Sequence, residues 1–399
     1  MIRIAMPRSD RSVLSDWWWT VDRGLLVGII GLILYGIVLV AAAGTPVALR
    51  VGLSENHFII RHAIMLVPAI IAMFTMSLLS PRWIWRICSL GLIGGLLLMM
   101  IIPFVGSEIK GAQRWLHIGS LSLQPSEFVK PFFAVVAAWL MWQQKERPNF
   151  HGNLFAGAFY GLALLLLLIQ PDLGMSVVLS FMFASQIFLA GFPFRYLFLM
   201  LVVGIVGMFG AYYGFDHVQS RIDRFLNPEA GSTYQIDKSL AAFQNGGFAG
   251  KGAGQGEVKM HLPDAHADFI FAVAGEELGF LLTLPLLGLF IFIILRVLNH
   301  LMTSDNFFAV LACGGLIAMF GLQTVVHMGS SMHLLPTKGM TLPFVSYGGT
   351  SVVAMGFSFG VILALTRRQG RFTIVRGLSR AKGQTARDTG TREPDIPSV

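Results

Sequence analysis

The feature that most limits this chain is a recurrence of apolar stretches about 20 residues long, the length at which an α-helix crosses the hydrocarbon core of a bilayer. Between polar breaks they fall at 24–43, 57–79, 84–105, 126–142, 153–169, 173–191, 195–214, 277–298, 307–328 and 349–366. Inside lipid every backbone N–H and C=O must be paired within the protein, which leaves helices or closed barrels, and runs this long specify helices. With 55% hydrophobic residues overall, the expected fold class is an all-α polytopic membrane protein with about ten transmembrane helices.

An even number of spans puts both termini on one side, and basic residues in short connections mark the cytoplasmic side. Arg and Lys crowd the tail from Arg367 to Arg392, the head (Arg3, Arg8, Arg11, Arg23) and alternate connections (Arg82, Arg86, Lys145, Arg147, Arg195, Arg296). Both termini are therefore expected in the cytoplasm. The long stretch 215–276, between spans seven and eight, mixes Arg221, Arg224, Lys238, Lys251 and Lys259 with acids and is expected to be a large extracytoplasmic loop. This divides the chain into a cytoplasmic segment 1–23, a membrane domain 24–366 and a basic tail 367–399, whose polar composition predicts disorder. The net charge of +8 sits at those cytoplasmic ends without interleaved aromatics, so it reads as anchoring rather than as a nucleic-acid surface.

Several alternatives fall away. The two cysteines, Cys88 and Cys313, lie within apolar runs, so neither a disulfide framework nor a thiolate metal site is expected. AAAGTPVA at the end of the first run mimics a signal-peptidase site, but that run is longer than a signal core and many spans follow, so it is read as an uncleaved anchor. Trp17, Trp18 and Trp19 ahead of it suit an interfacial belt. No internal repeat is evident, nor are paired interrupted helices of the inverted-repeat transporter kind.

Charge near or within spans needs a reason, because each ionised group costs roughly 2.5–3.5 kcal/mol at a helix centre. Arg61, Glu127, Lys130, Asp172, Asp268, Glu276 and Glu277 all fall toward the outer ends of spans. Glu127 and Lys130, three residues apart, share a helix face and suit either a simple ion pair, with Ser126 as N-cap, or the wall of a polar cavity. Their convergence with the others on one layer favours an outward-facing cavity. HLPDAHADFIFAVAGEELG, at 261–279, concentrates acids and histidines where a span begins. LLPTKGMTLPFVSYGGTS, at 334–351, breaks helix with Pro336, Pro343, Gly348 and Gly349, and offers Thr337, Lys338, Ser346, Tyr347 and Thr350 as hydrogen-bond partners, Lys338 and Ser346 being the expected substrate contacts; non-helical backbone at membrane depth is tolerated where it lines such a cavity.

GGFAGKGAGQGE, at 246–257, looks superficially like a phosphate cradle but lacks the Ser/Thr after Lys251 and the preceding strand of a P-loop; it is read as a flexible loop, with contact to a substrate diphosphate as the alternative. His261, Asp264, His266 and Asp268 match no zinc spacing, so no resident metal is expected, and Mg²⁺ or Mn²⁺ enters only as transient assistance.

With GAQRWL, QPSEFVK, QPDLG, the Gly-rich loop, AHADFIFAVAGEELG and LPFVSYGG in order between Asp22 and Thr366, the chain resembles the SEDS family of shape, elongation, division and sporulation proteins. LLPTKGMTLP and the full AHADFIFAVAGEELG string are more similar to its division members than to its elongation members. His327, Ser331 and His333 depart from the family's usual Asn, Asn and Gly. The resemblance implies a peptidoglycan glycosyltransferase that polymerises lipid II in the cell inner membrane at the division septum. It further implies a class B penicillin-binding protein and other division proteins as partners. Asp268 matches the family's essential aspartate, and Arg61, Glu127, Lys130 and Asp172 match its polar cavity.

That chemistry needs a base for the attacking sugar hydroxyl and a cation for the leaving diphosphate. Asp268 is the expected base, ahead of Asp264, Glu276 and Glu277, because partial desolvation raises a carboxylate's proton affinity. Lys130 and Arg61 are the expected cations, oriented by Glu127 and Asp172. Glu276 and Glu277 are expected to structure the helix entrance. A precursor flippase would need polar groups continuing to the cytoplasmic face, where the spans read apolar. A scaffold would tolerate loss of Asp268.

Overall fold

The structure is a computed structural model and describes residues 12–109, 112–119, 121–214, 218–220, 222–223, 234–336 and 339–367. It divides into two units, one of the terminal residues and one of 23–366. In the first, helix α1 (Val13–Thr20) is capped by the Ser12 hydroxyl, which accepts from the Ser15 N–H at 3.2 Å, and Arg367 Nε donates to Thr20 Oγ1 at 3.0 Å.

In the second unit every expected apolar run forms a helix. They are α2 (Arg23–Arg50), α3 (His57–Leu78), α4 (Pro81–Val105), α5 (Pro125–Glu146), α6 (Gly152–Ile169), α7 (Leu173–Leu189), α8 (Phe194–Gly214), α10 (Ile270–Met302), α11 (Phe307–Ser331) and α12 (Thr350–Leu365). Seven of them, α2, α3, α4, α6, α8, α10 and α11, are long and apolar enough to cross a membrane, while α7 and α12 are apolar but shorter. α5 owes its lower hydropathy to Glu127, Lys130, Lys145 and Glu146. This is an all-α polytopic membrane architecture.

Two parts of the connections are more ordered than the sequence suggests. Between α4 and α5 the chain forms an antiparallel meander of β1 (Ser107–Ile109), β2 (Ala112–Ile118) and β3 (Leu121–Leu123), with Glu108 opposite Gln113 and Leu116 opposite Leu123. Strands this short carry too few alternations to stand out from loop. The stretch 215–276 contains helix α9 (Tyr234–Gly246) and a 3-10 turn at Val258–His261. The expected eighth span also begins earlier, at Ile270, and runs through a break at Gly279 (φ 66°, ψ −175°).

That break explains the Gly-rich segment, which is docked rather than loose. The carbonyls of Glu276 and Glu277 accept from the N–H groups of Lys251 and Gly252, each at 3.0 Å. In return the N–H groups of Phe280 and Leu281 donate to the carbonyls of Gly247 and Phe248, also at 3.0 Å. The bonds the helix loses at Gly279 are thus replaced by the loop, as buried backbone requires. A Cβ at Gly279 would lie 2.2 Å from the Gly250 nitrogen, and its φ is open only to glycine.

The core centres on α5, α11 and α12, the helices with the largest share of buried residues, against α3, α4, α7 and α10. α3 and α12 form the most intimate pair: a Cβ on Gly356 would stand 2.3 Å from the Ala69 carbonyl oxygen, so the backbones touch. Close approach through small residues replaces the hydrophobic drive that lipid cannot supply. α8 buries only Ala211 and lies at the periphery beside α7.

Candidate functional site

The charged residues singled out from sequence lie at or just before the N-terminal ends of α3, α5, α7 and α10, and two groups can be built from their contacts. In the first, Lys130 Nζ lies 2.8 Å from Glu127 Oε2 across one turn of α5 and 3.1 Å from the Met175 sulfur on α7. Both side chains are buried, so attraction acts in low dielectric and offsets the loss of hydration only because the contact is close. Ser126 is not the N-cap expected for this helix: Gln124 holds that position without a side-chain bond, Pro125 begins the helix, and the buried Ser126 hydroxyl has no partner. Proline suits the first helical position because its missing N–H would have been unpaired there anyway.

Asp172 caps α7, one carboxylate oxygen accepting from the Met175 N–H at 3.3 Å and the other from Gln124 Nε2 at 3.4 Å. Its cation is Arg114 of β2, with Nη1 3.6 Å from Oδ1. Arg114 also donates from Nε to the Gln170 carbonyl at 3.2 Å and from Nη2 to the Pro171 carbonyl. The sequence suggested that Asp172 would orient Lys130 or Arg61. Instead it ties the meander to the α6–α7 turn, and Arg114 was legible only as a letter of GAQRWL.

The second group surrounds Asp268. The turn 264–268 is closed by the Asp264 carbonyl, which accepts from the N–H groups of Ala267 and Asp268, each at 2.9 Å. Asp264 sits at φ 50°, a conformation its short polar side chain tolerates. The Asp268 carboxylate is half-buried and faces Gly339: a Cβ there would lie 3.4 Å from Oδ2. Ser346 stitches the facing segment on, accepting from the Leu342 N–H at 2.9 Å and donating to the Ala267 carbonyl at 2.8 Å. Tyr347 N–H donates to the His266 carbonyl at 3.0 Å. Arg61, in the first turns of α3, hydrogen-bonds the Tyr347 side chain. Lys338 lies outside the described residues.

Beside Arg61, the rings of Phe58, His266 and Tyr347 pack with centroids 4.0 to 5.2 Å apart. Burial lowers the His266 pKa to about 4, partly opposed by Asp264. Burial likewise pushes the Tyr347 hydroxyl above its ordinary value, against the opposing charge and hydrogen bond of Arg61.

Glu276 and Glu277 are committed elsewhere. Glu276 accepts from Asn245 Nδ2 at 2.9 Å and from the N–H groups of Val258 and Lys259 at 2.7 and 3.0 Å. Glu277 pairs with Lys259, whose Nζ also reaches the Ala42 carbonyl at 3.1 Å. All three side chains are buried, and they fasten the long loop to α10 and α2. Lys259, read from sequence only as part of a loop's charge count, is thus a buried structural cation. Ser331 anchors the end of α11, its carbonyl accepting from the Ser239 hydroxyl of α9 at 2.6 Å.

The arrangement is that of a polytopic helical membrane protein with a half-buried carboxylate on a stitched turn and buried ion pairs at neighbouring helix ends. Such a site can accept a proton and stabilise an anion beside lipid. The chain belongs to the FtsW, RodA and SpoVE family of cell cycle proteins, whose profile matches residues 23–370. It is 38% identical over 366 residues to a protein of Caulobacter vibrioides (strain NA1000 / CB15N) described as a probable peptidoglycan glycosyltransferase FtsW, covering 92% of this chain and 94% of that one. A protein of Shewanella sediminis (strain HAW-EB3) with the same description is 35% identical, covering 89% and 90%. Among solved structures, the fold is similar to a chain of a peptidoglycan synthase complex (TM-score 0.73, 24% identity, covering 88% of this chain and 98% of that one). It also resembles the rod shape determining protein RodA of Thermus thermophilus (TM-score 0.66, 25% identity, covering 88% and 99%).

Proposed function

We propose that this protein is a peptidoglycan glycosyltransferase of the FtsW type, polymerising lipid II into glycan strands, with Asp268 as the general base. The observation that carries the base assignment is the division of labour among the acids. Glu276 spends both oxygens on the loop and the buried Glu277 is paired with Lys259, whereas Asp268 is half-buried on a turn stitched to 339–347. The relatives' shared description, over about nine-tenths of each chain, supports the reaction class.

In this reading ten helices span the inner membrane, both termini are cytoplasmic, 215–276 is extracytoplasmic, and the N-terminal ends of α3, α5, α7 and α10 all face outward. An acceptor sugar hydroxyl attacks the anomeric carbon of the donor. The new C–O bond forms as the bond to the diphosphate breaks with inversion, the proton passes to Asp268, and the electron pair leaves with the diphosphate. Lys130 and Arg61 stabilise that departing charge, with Lys338 and Ser346 in contact with substrate, and no acid is needed because the diphosphate leaves as an anion. Among the described residues no three His, Cys, Asp or Glu side chains converge to hold a metal ion. In the proposal Mg²⁺ or Mn²⁺ is a companion of the substrate's diphosphate, and no step runs through it. A class B penicillin-binding protein and other division proteins are the proposed partners, and the septum the proposed site of action.

The test is reconstitution in nanodiscs with a class B penicillin-binding protein and fluorescent lipid II. Polymerisation yields a ladder of glycan strands. Lipid II translocation in vesicles without strand formation would instead establish the flippase reading.

A further inference from the structure

The segment 339–347 that faces Asp268 is held in a conformation it would not choose alone. Phe344, a bulky residue, sits at φ 62°, in the left-handed region where side chains clash with the backbone. Such a residue persists only where its surroundings over-determine it. Ser346 and Tyr347 fix the far end of the segment, as described above. The near end is fixed from α11, where His327 Nδ1 lies 2.7 Å from the Met340 carbonyl oxygen.

A carbonyl can only accept, so His327 donates from Nδ1 and its tautomer is set. The ring is fully buried, and its other nitrogen, Nε2, has no partner. Leaving Nε2 unpaired in the interior carries a desolvation cost, and the bond from Nδ1 to Met340 is what the ring offers against it. Met340 directly follows Gly339, the residue facing the Asp268 carboxylate, whose Oδ2 would lie 3.4 Å from a Cβ added there.

We infer that His327 is a positioning residue for Asp268: its Nδ1–H pins Met340, which holds Gly339 as the wall behind the carboxylate. This rests on the assignment of Asp268 as base. Displacement of a reacting group by about 1 Å can cost about 10²-fold in rate, so losing the pin is expected to act on kcat rather than on substrate binding.

The test uses the full chain with its partner and lipid II, and three variants. His327→Phe keeps a ring but no donor; His327→Asn keeps an amide donor near the place of Nδ1; Asp268→Asn is run alongside. His327→Phe is expected to lower kcat by about 10- to 100-fold with KM unchanged, and to speed hydrogen exchange of the amides in 339–346. His327→Asn is expected to restore both. Equal loss in the Phe and Asn variants, or a change in thermal stability without one in kcat, would overturn the positioning role. Unchanged exchange in His327→Phe would overturn the pin itself. Full activity in Asp268→Asn would remove the base assignment, leaving the exchange data to judge the pin alone.

Discussion

At the scale of single residues, the energetics turn on which polar groups are buried and what meets them. Lys259 and Glu277 form a buried pair that fastens the long loop to α10. Lys259→Met strands Glu277 as a lone buried charge and is expected to destabilise the protein by about 3–5 kcal/mol. Adding Glu277→Leu should recover most of that loss in thermal unfolding of the solubilised protein, since the isolated charge is then gone. His266 adds a pH dependence. The unfolded imidazole takes up its proton near 6.5 and the folded one only near 4, so its contribution is fully present above the first value and is lost as the pH falls toward the second. Between pH 7 and pH 5 that amounts to roughly 2 kcal/mol. His266→Phe, which keeps the ring contacts with Phe58 and Tyr347, should show a correspondingly flatter stability profile over that interval.

At the scale of elements, α10 is the piece to which the long loop is fastened, and its break at Gly279 is what lets the Gly-rich segment dock. Gly279→Ala would meet both a forbidden φ and the Gly250 backbone, and should destabilise by about 3 kcal/mol or more. Gly288→Ala in the same helix, where a Cβ meets nothing within 4 Å, should be neutral or stabilising by up to about 1 kcal/mol. Comparing the two by thermal unfolding separates the special glycine from the ordinary one. The helices themselves were legible in the sequence, because lipid leaves a backbone no alternative and the apolar runs announce their length. The meander was not, since three-residue strands offer no period to read. Nor was the docking of 246–252, because backbone exchange with a broken helix depends on a partner distant in sequence. For the same reason Glu127 and Lys130, one turn apart, could be paired from spacing alone, whereas Asp172 with Arg114 and Glu277 with Lys259 could not.

At the scale of the whole molecule, the proposal requires a single orientation in the membrane. The native thiols, Cys88 and Cys313, are buried, so one introduced cysteine reports cleanly. Gln255→Cys in intact spheroplasts should react with a membrane-impermeant maleimide, and Thr303→Cys only after the membrane is opened. Reversal of that pattern would place Asp268 on the side without an acceptor strand. The central claim is that this fold carries one carboxylate able to take the proton of an incoming sugar hydroxyl, and one comparison decides it. The initial rate of glycan-strand formation from lipid II is measured for Asp268→Asn and for the unaltered chain, each with its partner and with matched thermal unfolding. A rate lower by about 10²- to 10⁴-fold is predicted, while a rate within a few-fold of the unaltered protein would contradict the account.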